Sequence, residues 1–230
     1  MKIIIAGVGP GKDDLISFAA VRAAEDSDLI LVPRSDDNKP GIAENLISQY
    51  VKGKEIHKIF FPMIKDSKRR DEIIAGQIIK LESNLQKSEK IFFPVIGDSV
   101  LYSTGAYLIE ALKKIFTDIE TEFIPGISAH SMACACAKKF MAMSEDIFCI
   151  IPGTAGSEKI LSALSSCASA AIYKPTAIKD KKIFDFIKAK FSKIIRVDFA
   201  GLPDEKIFEG HEALENINEY LSIILLGVRN

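Results

Sequence analysis

The chain has 230 residues, of which 48% are hydrophobic and 27% charged, and its formal net charge is −1. That balance describes a globular protein with a core, long enough for one large domain or two small ones. It gives no pull toward nucleic acid, whose binders present a basic face, and no apolar run reaches the ~18 residues that cross a membrane. The opening residues, Met1-Lys2-Ile3-Ile4-Ile5-Ala6-Gly7, have the pattern of a buried strand and are too short for a signal peptide. A glycine loop follows, Gly7-Val8-Gly9-Pro10-Gly11. Residues 15–27 then have a helical pattern, with Asp13 or Asp14 placed to cap it. Residues 29–32 form the next expected strand, stopped by Pro33, and residues 42–50 a helix. A strand is expected over 55–60, one long amphipathic helix over 69–87, a buried strand over 90–95 and a helix over 105–115. Alternation of this kind argues for a largely parallel sheet covered by helices, an α/β fold.

The second half continues with expected strands over 120–124, 146–151, 170–173, 193–198 and 220–226, and helices over 128–138, 159–165 and 181–190. The domain boundary is expected where one helix gives way to a new strand, dividing the chain into 1–118 and 119–230. Cys134, Cys136, Cys149 and Cys167 contain no C-x-x-C pair, so they are expected to be small buried hydrophobes in a reducing, cytoplasmic compartment. His57, His130 and His211 are scattered, and no metal site is expected from them.

Several loops follow the expected strands: residues 7–11, 33–40, 97–104, 125–128, 152–156 and 200–203. Ligands of open α/β sheets sit beyond the carboxyl ends of strands, although glycine and proline punctuate any such fold. The first loop reads G-x-G-x-G with a proline inside, which fits neither the G-x-G-x-x-G dinucleotide fingerprint nor a P-loop. The most informative loop is Gly97-Asp98-Ser99-Val100-Leu101-Tyr102-Ser103-Thr104-Gly105. It puts a carboxylate and three hydroxyls at the mouth of a sheet with no lysine to hold a phosphate, and so suits a ligand that presents hydroxyls and amines. A carboxylate at a buried edge with no adjacent cation also needs a partner. Residues 65–71 carry four cations, which read either as a solvated helix start or as a rim that attracts a polyanion. No Ser-His-Asp set or useful carboxylate pair emerges, so no catalytic residue is assigned.

Together the Gly7 to Gly11 loop, Gly97-Asp98 followed by Tyr102-Ser103-Thr104, and Pro125-Gly126-Ile127-Ser128 resemble the tetrapyrrole (corrin/porphyrin) methyltransferases across nearly the whole chain. Phe61-Pro62-Met63, Tyr102-Ser103-Thr104, Ile151-Pro152-Gly153-Thr154 and the ending Tyr220-Leu221-Ser222-Ile223-Ile224 look most like the members that methylate C20 of precorrin-2 or cobalt-factor II. The resemblance implies two α/β domains with S-adenosyl-L-methionine in a cleft between them, and a homodimer. It implies cofactor contacts from Gly97, Asp98, Leu101, Tyr102, Ser103, Thr104, Ser128, Ala129, Tyr173, Ala200, Gly201 and Leu202. It implies a polycarboxylate tetrapyrrole bordered by Gly9, Pro10 and Gly11, with Arg34, Lys65, Lys68, Arg69 and Arg70 as partners for its carboxylates. Any cobalt would arrive inside the substrate. The chain departs from the family at Ser99, where proline is usual, and at Lys12, where aspartate is usual. Two further readings remain open: methylation of another position on a precorrin or uroporphyrinogen III, and a non-catalytic binding protein that keeps only the cleft.

Overall fold

The computed structural model describes residues 1–35, 40–64 and 66–229. The strands of the first half are β1 (Lys2–Gly7), β2 (Leu29–Arg34), β3 (Glu55–Phe60), β4 (Lys90–Val95) and β5 (Glu120–Ile124). They form one sheet in the order β3-β2-β4-β1-β5, and every pairing in it is parallel. Side chains alternate between its faces, as the period of two requires. Ile3, Ile5, Phe93 and Val95 pack with α3 (Ser67–Lys80), α4 (Glu82–Lys87) and α5 (Gly105–Lys113). Ile4, Ala6, Ile30 and Phe92 pack on the other face with α1 (Phe18–Asp26) and α2 (Ile42–Ile47).

Several boundaries differ from expectation, each for a local reason. Asp13 and Asp14 belong to a separate 3-10 turn, and the true cap of α1 is Ser17, whose Oγ accepts the Ala20 N–H at 3.2 Å. Pro33 does not stop β2. The Arg34 carbonyl accepts the Phe61 N–H at 2.7 Å, so alternation turns Pro33 away from β3 and toward β4. There the β2–β4 ladder has already ended at Ile30, and a missing N–H breaks no bond. The expected single helix over 69–87 is two, broken at Leu81, whose φ of −97° and ψ of 2° leave the helical region. The first of them starts early because Asp66 Oδ1 accepts the Arg69 N–H at 3.0 Å.

The chain divides into two units, Met1–Ser128 and Ala129–Asn230. The break falls after β5 rather than at 118/119, because β5 pairs residue by residue with β1 and so completes the first sheet. The second unit contains α6 (Ala129–Cys136), β6 (Phe148–Pro152), α7 (Ser157–Ser166), β7 (Ser169–Tyr173), α8 (Lys181–Lys190), β8 (Ile194–Asp198), β9 (Lys206–Glu209) and β10 (Ser222–Leu226). Its sheet runs β6-β7-β10-β8-β9 and is mixed: β6 and β7 are parallel, while β10 is antiparallel to both its neighbours and β9 to β8. The strand β9 was not expected. Ile172, Ile194 and Ile224 face α7 and α8, and Ala171, Val197 and Leu225 face α6. Two charges lie inside this unit. Arg196 Nε stands 3.1 Å from Asp198 Oδ1, which also accepts the Ser222 hydroxyl at 2.6 Å, and all three residues are buried. Arg196 Nη1 further donates to the carbonyls of Ala213 and Glu215, tying the sheet to the segment that covers it.

Candidate active site

In the first sheet the chain leaves β1 toward β2 on one side and leaves β4 toward β5 on the other. The two strands are neighbours and their connections lead to opposite faces of the sheet, to α1 on one and to α5 on the other, and an open α/β sheet binds ligands at such a point. The loops there are 7–11 and 97–104. Gly9 and Gly97 join them through a pair of hydrogen bonds: Gly9 N–H to the Gly97 carbonyl at 3.2 Å, and Gly97 N–H to the Gly9 carbonyl at 2.7 Å. The loop after β5 closes on the same point. A Cβ on Gly126 would lie 2.2 Å from the Gly97 oxygen and 2.7 Å from the Gly7 carbonyl carbon. One on Gly7 would lie 2.6 Å from both the Gly97 oxygen and the Gly126 nitrogen. Three loops therefore meet backbone to backbone around one carbonyl oxygen; at Gly7 and Gly126 no side chain fits, and Gly97 takes a φ of 76° that favours glycine.

Beyond this junction the second loop is held by its own side chains. Asp98, half-buried, uses Oδ1 to accept the Val100 N–H at 2.9 Å, which supplies the partner the sequence demanded. Ser103 Oγ accepts the Gly105 N–H at 3.0 Å at the start of α5. Leu101, Ser103 and Thr104 are half-buried. Tyr102 is 46% exposed with a φ of 52°, a left-handed conformation that a bulky residue rarely adopts. Its partial burial pushes the phenol above its ordinary pKa. Ser99 is only 2% exposed, and its Oγ finds no hydrogen-bond partner among the described residues.

In the first loop Gly9 and Pro10 are buried and Gly11 is half-buried. The expected cations are dispersed. Arg34 ends β2, buried, with Nη2 2.6 Å from Glu44 Oε2, so its charge is already matched. Lys68 and Arg69 are exposed in the first turn of α3. Arg70 pairs with Asp71 at 2.9 Å and lies 4.0 Å over the Tyr107 ring, bracing α3 against α5. Lys65 lies outside the described residues.

Within the second unit the candidate residues gather at one edge. β7 and β8 are both antiparallel to β10, so their carboxyl ends share a side of the sheet. Tyr173 ends β7, and Ala200-Gly201-Leu202 follow β8. Gly201, at φ 80°, packs against Met132 of α6; a Cβ there would lie 2.9 Å from the Met132 Cε. Ala129 opens the same helix, directly after the buried Ser128. Two residues here went unread in the sequence. His130 Nδ1 lies 2.7 Å from the Tyr173 hydroxyl. Glu205 Oε2 accepts the Gly201 N–H at 2.7 Å and the Cys136 thiol at 2.8 Å, pinning the Gly201 turn to α6. Their only signal was proximity: His130 lies two residues past Ser128, and Glu205 four past Gly201.

The family model of the Tetrapyrrole (Corrin/Porphyrin) Methylases matches residues 2–214, a stretch containing all three glycine loops. The chain belongs to the tetrapyrrole methylases. Over 229 residues it is 30% identical to a protein named probable cobalt-precorrin-2 C(20)-methyltransferase from Methanocaldococcus jannaschii, covering 98% of this chain and 95% of that one. It is 23% identical to the cobalt-precorrin-2 C(20)-methyltransferase of Salmonella typhimurium, over 98% and 96% of the two chains. The fold of this methylase is also that of a solved uroporphyrin-III C-methyltransferase from Thermus thermophilus in complex with S-adenosylhomocysteine. The TM-score is 0.70 at 14% identity, over 99% of this chain and 97% of that one.

Proposed function

We propose that this methylase uses S-adenosyl-L-methionine to methylate C20 of precorrin-2 or of cobalt-factor II in cobalamin biosynthesis. The observation that carries the reading is the end-to-end likeness to two proteins bearing that activity in their names. The residues present fit the cofactor. The junction packs the loops of Gly7, Gly97 and Gly126 backbone to backbone and so fixes where the loop that begins at Gly97 leaves the sheet. Asp98 commits one carboxylate oxygen to Val100, and a carboxylate accepts at both. The buried Ser99 hydroxyl is a polar group with no hydrogen-bond partner among the described residues. Acceptors and hydroxyls of this kind suit a ligand that carries an amine and ribose hydroxyls.

Gly97, Asp98, Leu101, Tyr102, Ser103 and Thr104 are assigned to hold the cofactor, with Ser128 and Ala129. In the second unit the assigned residues are Tyr173, Ala200, Gly201 and Leu202. Once bound, S-adenosylmethionine supplies an electrophilic sulfonium methyl group. The chain's own work is alignment and exclusion of water, and positioning of this kind contributes about 7–11 kcal/mol. Asp98 is an orienting group here and not a proton donor. Lys68 and Arg69, exposed on α3, are the cations best placed to meet substrate carboxylates, while Arg34 is matched by Glu44. The protein is assigned to the cytoplasm and to a homodimer.

The test supplies precorrin-2 and cobalt-factor II in parallel with methyl-labelled S-adenosylmethionine, and locates the methyl by NMR. Label at C20 is expected; label at another carbon, or none transferred to either substrate, overturns the reading.

A further inference from the structure

The reading above gives Tyr173 a role but none to the histidine that meets its hydroxyl. His130 lies in the first turn of α6, where backbone N–H groups have no partner inside the helix. Its own N–H donates to the Tyr173 hydroxyl at 3.3 Å, and its ring Nδ1 meets the same oxygen at 2.7 Å. The ring is flanked by Phe148 at 5.7 Å and by Tyr173, edge-on, at 5.9 Å between centroids. The Tyr173 backbone is fixed as well. It pairs in the ladder with Ile223, and its carbonyl accepts the Gly153 N–H at 2.7 Å. The next residue, Lys174, turns away at φ 52°. Only rotation about the Tyr173 side-chain bonds is left, and the His130 contact removes it.

We propose that His130 is a positioning residue for the cofactor: it holds the Tyr173 ring in one orientation at the carboxyl edge of β7. This rests on the assignment of Tyr173 as a cofactor contact. A ring already fixed before the ligand arrives loses no rotamer freedom on binding. A histidine does this where phenylalanine could not, because its Nδ1 reaches the hydroxyl while its ring fills the space beside Phe148. Asparagine places a polar atom near the position of Nδ1 and can restore the contact.

The test is calorimetric binding of S-adenosylhomocysteine to the full chain. The variants are His130→Ala, His130→Asn, Tyr173→Phe and the double variant His130→Ala/Tyr173→Phe. A lost hydrogen bond of ordinary strength corresponds to roughly three- to tenfold weaker binding for His130→Ala. His130→Asn should regain most of it. Tyr173→Phe should match His130→Ala, and the double variant should bind no worse than either single one. Wild-type affinity in His130→Ala, additive losses in the double variant, or an Asn variant as weak as Ala overturns the proposal. If His130→Ala does not fold, Tyr173→Phe carries the test, since it removes one oxygen and no packing, and wild-type affinity there is equally fatal. Wild-type protein that binds no S-adenosylhomocysteine overturns both this proposal and the cofactor assignment, whereas normal wild-type binding with unaffected variants overturns this one alone.

Discussion

Gly126→Ala puts the glycine junction to its hardest test. Its Cβ would stand 2.2 Å from the Gly97 oxygen and 2.8 Å from the Gly7 Cα, more than an ångström inside ordinary contact with the first. No side chain can swing away, because every neighbour within that range is backbone. Nor can Gly97 retreat easily, since its two hydrogen bonds to Gly9 would stretch with it. Overpacking costs about 1–3 kcal/mol where side chains can adjust, so a backbone clash belongs at about 3 kcal/mol. For a protein of this size that lowers the melting temperature by roughly 6–12 °C. The displaced Gly97 carbonyl should also weaken S-adenosylhomocysteine binding by more than about tenfold, the factor set by 1.4 kcal/mol. Gly76→Ala serves as control: it lies in α3 with nothing within 4 Å of the added Cβ, and should raise stability by about 0.5–1 kcal/mol. Thermal unfolding and calorimetry read both variants. If Gly126→Ala melts within 2 °C of wild type and binds the ligand unchanged, the three loops do not meet as described.

Ser222→Ala should destabilise the second unit by about 1–3 kcal/mol in urea unfolding, because it strips a donor from the buried Asp198 carboxylate. A loss below 0.5 kcal/mol would mean that Arg196 alone satisfies the charge. Burial pushes the Cys134 and Cys167 thiols up to about 11, so a disulfide reagent at pH 8 should spare both in the native state. Peptide mapping that finds either labelled as fast as Cys136 would refute their burial. Asp146 is held below the usual carboxylate range by the Arg229 guanidinium and then by the Met143 N–H. Its folded pKa is depressed, so its contribution is complete above the unfolded value near 4 and disappears as pH falls through the folded one. Arg229→Met should therefore remove part of the stability difference between pH 6 and pH 3; an identical acid profile in the variant would show that the pair adds nothing.

The centre of the first sheet was legible because β1, β2 and β4 are buried on both faces. Phe92, Phe93 and Ile3 to Ile5 form unbroken apolar runs, and their ends fall at glycine or proline. The long helix was misread because Leu81 keeps the apolar period across the break while its backbone leaves the helix. In the second unit the direction of a strand leaves no mark on composition. The helix between β7 and β8 looks like a parallel crossover, and nothing local says that β10 lies between them. β9 was invisible because Lys206, Ile207 and Glu209 are exposed on an edge and so carry no hydrophobic signal. At the site, glycine spacing located the loops, whereas the Arg34–Glu44 pair and the His130–Tyr173 pair join residues that sequence order keeps apart.

The strand order also sets a timetable for the nascent chain. The first sheet has all its strands once Ile124 has emerged, so the first unit can close while the rest is still being synthesised. The second cannot. β7 and β8 hold an empty slot between them until Ser222–Leu226 arrives, and until then the paired edges of both lie open. A pause in translation after β9 would leave those two open edges as templates for any passing strand.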